Sequence, residues 1–323
     1  MSPSGMRAFG PYRAAGGAAG KEASTLERLP EPLKETRGRV LLDTDIGPDC
    51  DDAGALAVLF SLQKKTGFEI AGIVNCTSNP WGAGAVDAIR AFYGIPEFSI
   101  GEFRRRPFLP DHAKYNRALA ERFSPAYRRG ETFQDSAEVY RKALEESPDL
   151  GLTVVTIGQF NALADAMRLF PDLFRRKLGA LISMAGEYPA CRNEYNISCD
   201  AESAAYVFTH ASCPVILSGH EIGYAFETGF PDGIERPDNP VWLAYRLWTD
   251  GGTVRWSWDL TTVYYAVMGP ETWFGFSPPL FVDVAPDGSS ASREDANGSA
   301  RFLILRDGNG LRDRLNGILK EEA

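Results

Sequence analysis

The stretch that decides the fold is LLDTDIGPDCDDAGAL, residues 41–56. Its apolar start, polar middle and apolar end with helical spacing predict a strand, a loop and a helix. Five carboxylates lie within ten residues, at positions 43–52. Carboxylates this close repel one another. The segment is therefore either a solvated loop or a place where a cation offsets the repulsion.

Strand and helix patterns continue to alternate along the chain. The runs LTVVTIG (152–158), LGALISMAG (178–186) and CPVILSG (213–219) are apolar throughout, which is typical of strands covered by helices on both faces. We predict an α/β fold: a single domain with a mostly parallel central sheet, helices on both faces and a Rossmann-type core. The domain is predicted to span residues 38–323, after a flexible Gly- and Ala-rich leader at residues 1–37.

Composition and charge exclude several classes of protein. The chain is 44% hydrophobic and 24% charged, as in ordinary soluble domains. A net charge of -9 argues against nucleic acid as a partner. No apolar run is long enough to predict a membrane span. The five cysteines form no CxxC pair and the leader does not resemble a signal peptide, so we predict a cytoplasmic protein.

Polar side chains follow several of the predicted strands. Asp43 and Asp45 end the first strand, Asn79 follows the second and Met184 ends the fifth. These groups should converge, because ligands bind at the carboxyl ends of parallel strands. Zinc is disfavoured by the small number of histidines, three in the chain. Attraction to a helix N-terminus would explain one or two acids, whereas five favour a hard cation such as calcium.

Two motifs in the opening stretch resemble the signature of the inosine-uridine nucleoside hydrolases. They are Asp43-Thr44-Asp45-Ile46-Gly47 and Asp51-Asp52-Ala53-Gly54-Ala55-Leu56. Asn79, Glu194-Tyr195-Asn196 and Asp259 follow in the order of that family. One Asp-x-Asp would be weak support, but four ordered segments are specific. The resemblance covers residues 39–310.

The resemblance implies a calcium-dependent enzyme that hydrolyses the N-glycosidic bond of ribonucleosides to ribose and free base. The implied calcium ligands are Asp45, Asp52, Asp259 and the backbone carbonyl of Ile157. Asp45 would also be the general base on water. The residues implied to surround the ribose are Asp51, Asn79, Met184, Glu194, Asn196 and Asp259. Carboxylates there would stabilise the oxocarbenium-like charge of the transition state. A homodimer or homotetramer is also implied.

The loop between Asp45 and Asp51 is two residues longer than the family pattern. By counting, Asp49 lies where the first acid of the family's pair is found, but Cys50 follows it. We align Asp51 and Asp52 with the pair because the helix entry fixes the register. Asp49 is then a residue of the loop or of the surroundings of the site.

A second departure concerns the residue before Asp259, which is Trp258. Many family members have a histidine there, implied to protonate the leaving base. A tryptophan cannot act as an acid at neutral pH, but it can stack on a base, as in the purine-specific branch of the family. We therefore predict a preference for purine nucleosides; the alternative is a core aromatic. His112, in the long loop, is a candidate acid by position, although a solvated loop histidine is the simpler interpretation.

Two alternatives to a ribonucleoside hydrolase stay open. A hydrolase of a modified nucleoside or another ribosylated small molecule would differ at Trp258 and in the loop 102–116. A non-catalytic ribose- or metal-binding protein would be expected to lack a ligand or the base, yet Asp45, Asp52 and Asp259 are all present. Nucleotides should be poor substrates, because an acidic pocket repels phosphate.

Overall fold

The structure is a computed structural model that describes residues 29–111, 114–191 and 193–321. Residues 1–28 of the predicted leader lie outside this part of the chain. Residues Leu33–Thr36 form a helical turn, α1, whose Leu33 is buried in the core. Helix α1 therefore lies within residues 1–37, the range predicted as the leader. Among the described residues, no helix is long and apolar enough to cross a membrane.

The strands of the described chain are mostly short and buried. They are β1 (Arg39–Thr44), β2 (Glu69–Asn75), β3 (Ile100–Glu102), β4 (Gln134–Asp135), β5 (Leu152–Thr156), β6 (Leu178–Met184), β7 (Val215–Ser218), β8 (Glu227–Gly229), β9 (Val254–Trp256), β10 (Phe274–Phe276), β11 (Leu280–Val284), β12 (Ser290–Glu294) and β13 (Ala300–Leu305).

Eleven strands form one sheet in the order β12-β11-β13-β7-β6-β5-β1-β2-β3-β4, with β10 beside β13. All neighbours from β13 to β4 are parallel. The pairs that involve β10, β11 and β12 are antiparallel, at one end of the sheet. Strands β8 and β9 form a separate antiparallel ribbon. The predicted single domain with a mostly parallel sheet is confirmed.

Helices connect and cover the strands. They are α2 (Asp51–Thr66), α3 (Gly82–Phe92), α4 (Asn116–Phe123), α5 (Pro125–Arg128), α6 (Ser136–Glu146), α7 (Asn161–Leu169), α8 (Pro171–Lys177), α9 (Tyr195–Cys199), α10 (Ala201–His210), α11 (His220–Gly223), α12 (Pro240–Trp248), α13 (Trp258–Met268) and α14 (Gly308–Lys320).

Two hydrophobic clusters, one on each face of the sheet, explain why the strand sequences are apolar throughout. Leu42 packs into the cluster that contains residues of α2, α3, α13 and α14, and Leu41 packs into the cluster of α6, α7 and α10. Successive residues of a strand point to opposite faces. Both leucines are nevertheless fully buried, because helices cover both faces.

A close contact at Gly54 brings the start of α2 against α13. A Cβ atom at Gly54 would lie 2.5 Å from the hydroxyl oxygen of Tyr245 and 2.9 Å from Cδ1 of Leu260. An added methyl group would have to displace these two buried side chains, because packed interiors leave little free room. Gly54 therefore allows α2 and α13 to approach closely near Asp51 and Asp259, the acidic residues at their starts.

We expect Gly54→Ala to lower the free energy of unfolding by about 1–3 kcal/mol, because overpacking outweighs the better helix propensity of alanine. The matched control is Gly317→Ala in α14, where an added Cβ meets nothing within 4 Å. That variant should be unchanged or more stable by up to about 1 kcal/mol. Urea unfolding of both variants makes the comparison, and equal effects would contradict the packing argument.

Candidate active site

A cavity of about 430 Å³ opens at the carboxyl ends of β1, β5 and β6. The residues that line it are Asp45, Pro48, Asp49, Asp51, Asp52, Ile157, Met184, Glu194, Tyr195, Asn196, His220, Trp248, Arg255, Trp258 and Asp259. Most of the residues predicted from sequence are therefore brought together in one place. This is where ligands bind in open parallel sheets.

Three buried carboxylates form a group that could hold a metal ion. Asp51, Asp52 and Asp259 each offer an oxygen, and these oxygens lie within 4.8 Å of one another. Asp45 lines the same cavity but is outside this group. Its Oδ2 accepts a hydrogen bond of 2.7 Å from Nε2 of Gln159. The group thus shares Asp52 and Asp259 with the predicted ligand set and contains Asp51 where Asp45 was predicted.

Burial is the main influence on these carboxylates. It raises the pKa of Asp45 to about 7, against the lowering effect of the Gln159 hydrogen bond. It also raises the pKa values of Asp51, Asp52 and Asp259 well above the usual range, and repulsion from neighbouring aspartates adds to the increase. A bound cation would reverse this, because it stabilises the ionised forms. The group has the chemistry of a cation site built from hard oxygen donors.

Hydrogen bonds fix the starts of α2 and α13 relative to each other. Oδ2 of Asp51 accepts from the backbone N–H groups of Trp258 and Asp259, both at 3.1 Å. The first N–H groups of a helix have no partner within the helix, so an acceptor from elsewhere satisfies them. The Thr44 hydroxyl donates to Oδ1 of Asp52. The acidic loop is thereby tied both to β1 and to the late helix.

Glu194 and Asn196 organise the opposite wall. Glu194 accepts backbone hydrogen bonds from Gly186, Asn196 and Ile197 at 2.8–3.2 Å. Burial raises the pKa of Glu194 to about 7, although these bonds lower it. Nδ2 of Asn196 donates to the carbonyl of Met184 at 3.1 Å. This wall presents a carboxylate and an amide at fixed positions.

The sequence analysis missed Gln159, which bridges two predicted residues. Its Nε2 lies 2.7 Å from Oδ2 of Asp45 and 3.2 Å from Oδ1 of Asn196. The side chain is fully buried. A polar residue directly after the apolar run 152–158 was the available signal.

The sequence analysis also missed Arg255, which pairs with the extra acid of the loop. Its guanidinium contacts the Asp49 carboxylate through Nε and Nη2 at 2.7–3.1 Å. Its Cζ lies 4.3 Å from the ring centroid of Trp248, 4.5 Å from that of Trp256 and 5.1 Å from that of Trp258. A cation over aromatic faces is attracted by their quadrupoles. The inserted Asp49 is thus held at the rim of the cavity.

Trp258 lines the cavity and is partly buried. Its indole N–H donates to the carbonyl oxygen of His220 at 2.9 Å. A Cβ atom at Gly223 would lie 2.4 Å from Cα of Trp258, so α11 and the start of α13 are in close contact. His220 was not predicted from sequence, and it also lines the cavity.

Two of the residues predicted from sequence are not among the described residues that line the cavity. Asn79 is 2% exposed and is absent from the cavity wall described above. Its Oδ1 accepts from the backbone N–H of Trp81 at 2.9 Å, and its Nδ2 donates to the carbonyl of Pro110 at 3.1 Å. The Asn79 amide thus holds its own loop against the loop that contains Pro110. His112, the predicted acid, lies outside the described residues.

Several solved structures are similar to this fold. An inosine-guanosine nucleoside hydrolase matches with a TM-score of 0.69 and 18% identity over 88% of this chain and 100% of that chain. A purine-preferring ribonucleoside hydrolase from Gardnerella vaginalis has a TM-score of 0.65 and 17% identity, over 87% and 99% of the two chains. An inosine-uridine preferring nucleoside hydrolase from Bacillus anthracis has a TM-score of 0.64 and 15% identity, over 87% and 97%.

No curated protein sequence matches the chain. The family model described as inosine-uridine preferring nucleoside hydrolase matches residues 40–292. This range contains all of β1 except Arg39, the acidic loop and the start of α13. The chain therefore belongs to the inosine-uridine preferring nucleoside hydrolase family and is a glycosidic-bond hydrolase.

Proposed function

We propose that the protein hydrolyses the N-glycosidic bond of ribonucleosides, with a preference for purine bases, in a calcium-dependent reaction that releases ribose. The main support for this proposal is the group of buried carboxylates in one cavity, formed by Asp51, Asp52 and Asp259 with Asp45 beside them. Strongly perturbed carboxylates in a cleft are typical of catalytic sites.

Calcium fits the donors that the chain offers. The proposed ligands are Asp45, Asp52, Asp259 and the carbonyl of Ile157, all of which line the cavity. Calcium accepts about six to eight oxygen ligands in flexible geometry, so Asp51 and substrate hydroxyls can lie near it. When bound, the ion would lower the pKa of a coordinated water and orient the ribose diol.

Asp45 is the proposed general base. Its Oδ2 is held by Gln159 at 2.7 Å, which orients the carboxylate within the cavity. A base must lie within hydrogen-bond reach of the proton that it removes. Water attacks C1′ of the ribose as the bond to the base breaks, and Asp45 takes the proton of that water.

The ribose is proposed to lie among Asp51, Glu194 and Asn196. Bond breaking makes the sugar oxocarbenium-like, and fixed carboxylates stabilise that positive charge without reorganising. Met184 lines the same wall and supplies an apolar contact for the ring. Asn79 could reach this subsite only if its loop moved, because its amide is bound to Trp81 and Pro110.

The base is proposed to lie against Trp258, with Trp248 and Tyr195 nearby on the cavity wall. Aromatic stacking grows with the size of the base, which favours purines. A modified nucleoside or another ribosylated small molecule is the second candidate, because Arg255 and the inserted Asp49 alter the rim beside Trp258.

A homodimer or homotetramer is proposed from the family resemblance. The five cysteines are free thiols, which suits a reducing compartment such as the cytoplasm.

The first test is the release of reducing sugar from inosine, guanosine, adenosine, uridine and cytidine. Ribose should be released fastest from the purine nucleosides, lost after chelation and restored by added calcium. Calcium should also raise the melting temperature, because it binds the folded state and relieves repulsion among buried carboxylates. If calcium stabilises the protein but no nucleoside is cleaved, the substrate is another ribosylated molecule.

Asp45→Asn should reduce kcat by about 10²–10⁴-fold, the usual contribution of a general base. The matched control is Asp250→Asn, since the Asp250 side chain is 84% exposed and should leave kcat unchanged. Calcium titration by calorimetry separates a lost ligand from a lost base. Turnover within about threefold of the natural enzyme, at saturating calcium, would remove Asp45 as the base.

Trp258→Ala should lower kcat/KM for inosine about two- to twelvefold more than for uridine, because a lost stacking contact is worth about 0.5–1.5 kcal/mol. Trp258→Phe keeps an aromatic face and should restore most of the difference. Steady-state kinetics on both nucleosides make the measurement. Equal losses for the two substrates would mean that Trp258 acts only in packing.

A further inference from the structure

Departure of the base is assisted by a proton donor. Trp258, beside the space proposed for the base, does not supply this proton. As the bond from C1′ breaks, its electron pair moves to the base, and protonation of a ring nitrogen makes the base a better leaving group. The residue before Asp259 is Trp258, whose indole N–H already donates to the carbonyl of His220. An indole has no acidic proton near neutral pH. A side chain that donates this proton therefore belongs to another element.

The structure brings a histidine beside this tryptophan from a different strand. His220 begins α11, two residues after the end of β7, and therefore lies at the carboxyl edge of the sheet. Its ring centroid is 5.4 Å from that of Trp258, with an interplanar angle of 33°. The ring also stacks on Tyr224, at 5.4 Å and 22°. The imidazole thus lies on the tryptophan side of the cavity.

Backbone contacts hold His220 in this position. Its N–H donates to the carbonyl of Gly186 at 2.8 Å, and its carbonyl accepts from the indole of Trp258 at 2.9 Å. A base stacked on Trp258 would therefore lie beside a histidine whose backbone is anchored on both sides. Such preorganisation is what a proton donor to a leaving group requires.

Two other basic side chains of the described residues are less suited. Arg255 lines the cavity, but its Nε and Nη2 are bound to Asp49, and a guanidinium does not give up its proton. His210 lies at the exposed end of α10, stacked on Tyr206 at 4.1 Å. Within the described residues, His220 is the histidine that lines the cavity.

We propose that His220 is the catalytic acid that protonates the leaving base. This inference rests on the proposed function. The imidazolium of His220 gives one proton to a ring nitrogen of the base as the bond to C1′ breaks. The oxygen of water forms the new bond to C1′, and its proton goes to Asp45. Proton exchange with solvent restores both side chains, so that nucleoside and water give ribose and base.

The test compares two substrates that differ in their need for a proton. Inosine has a poor leaving group, whereas 4-nitrophenyl riboside releases a phenolate that leaves without protonation. For His220→Ala and His220→Gln, kcat/KM on inosine should fall about 10²–10³-fold. On 4-nitrophenyl riboside the loss should stay within about threefold. His210→Ala is the matched control and should leave both substrates unaffected.

Two results of this test would overturn the proposal, and a third would contradict the proposed function. Equal losses on both substrates in both variants would overturn the proposal, because they indicate a disturbed site rather than a lost acid. Unchanged hydrolysis of inosine would overturn it as well. If the natural enzyme cleaves neither substrate with calcium bound, the proposed function itself fails. The glutamine variant keeps a polar planar side chain, so folding, checked by thermal unfolding, does not obscure the result.

Discussion

The structure depends on the burial of several carboxylates where strand ends meet helix starts. The residues concerned are Asp45, Asp51, Asp52 and Asp259, none more than 5% exposed. Hydrogen bonds from Gln159 and from the backbone of α13 offset part of the cost. The rest is the desolvation of the buried carboxylates together with their mutual repulsion, and a bound cation would offset both. A chain that needed only stability would be better served by apolar side chains here.

Residues 254–259 couple the acidic side of the cavity to its aromatic side. Asp51 accepts from the backbone N–H groups of both Trp258 and Asp259. Trp258 has no room to shift towards α11, because a Cβ atom built on Gly223 would already lie 2.4 Å from Cα of Trp258. The aromatic face and the carboxylate are therefore positioned by the same few contacts. A change that moves one of them moves the other.

The opening segment could be predicted from sequence because its signals are local. Apolar runs without alternation specified buried strands, and the register of the helix entry identified Asp51 and Asp52. One helical pattern, at residues 161–176, is divided between two helices, because α7 ends at Leu169 and Pro171 begins α8. Proline cannot continue the hydrogen-bond pattern of the preceding helix.

Other parts of the site could not be predicted, because they depend on contacts between distant segments. Gln159 matters through a carboxylate 114 positions away. His220 contacts Trp258, which is 38 positions away. Asn79 follows the motif order of the family, yet its amide is used by its own loop and the next. Sequence order gives the strand after which a residue lies, but not the direction of its side chain.

The two departures from the family pattern are physically connected. On the alignment predicted from sequence, the loop insertion adds Asp49, and the departure before Asp259 is Trp258. Arg255 contacts both, with a bidentate ion pair to Asp49 and its Cζ 5.1 Å from the ring centroid of Trp258. An arginine near an indole without a counter-ion would leave an uncompensated cation at the rim of the cavity, beside the space proposed for the base. Asp49 neutralises it and, through the same contact, holds the lengthened loop. The longer loop and the tryptophan are therefore best understood as parts of one arrangement that shapes the aromatic side of the cavity.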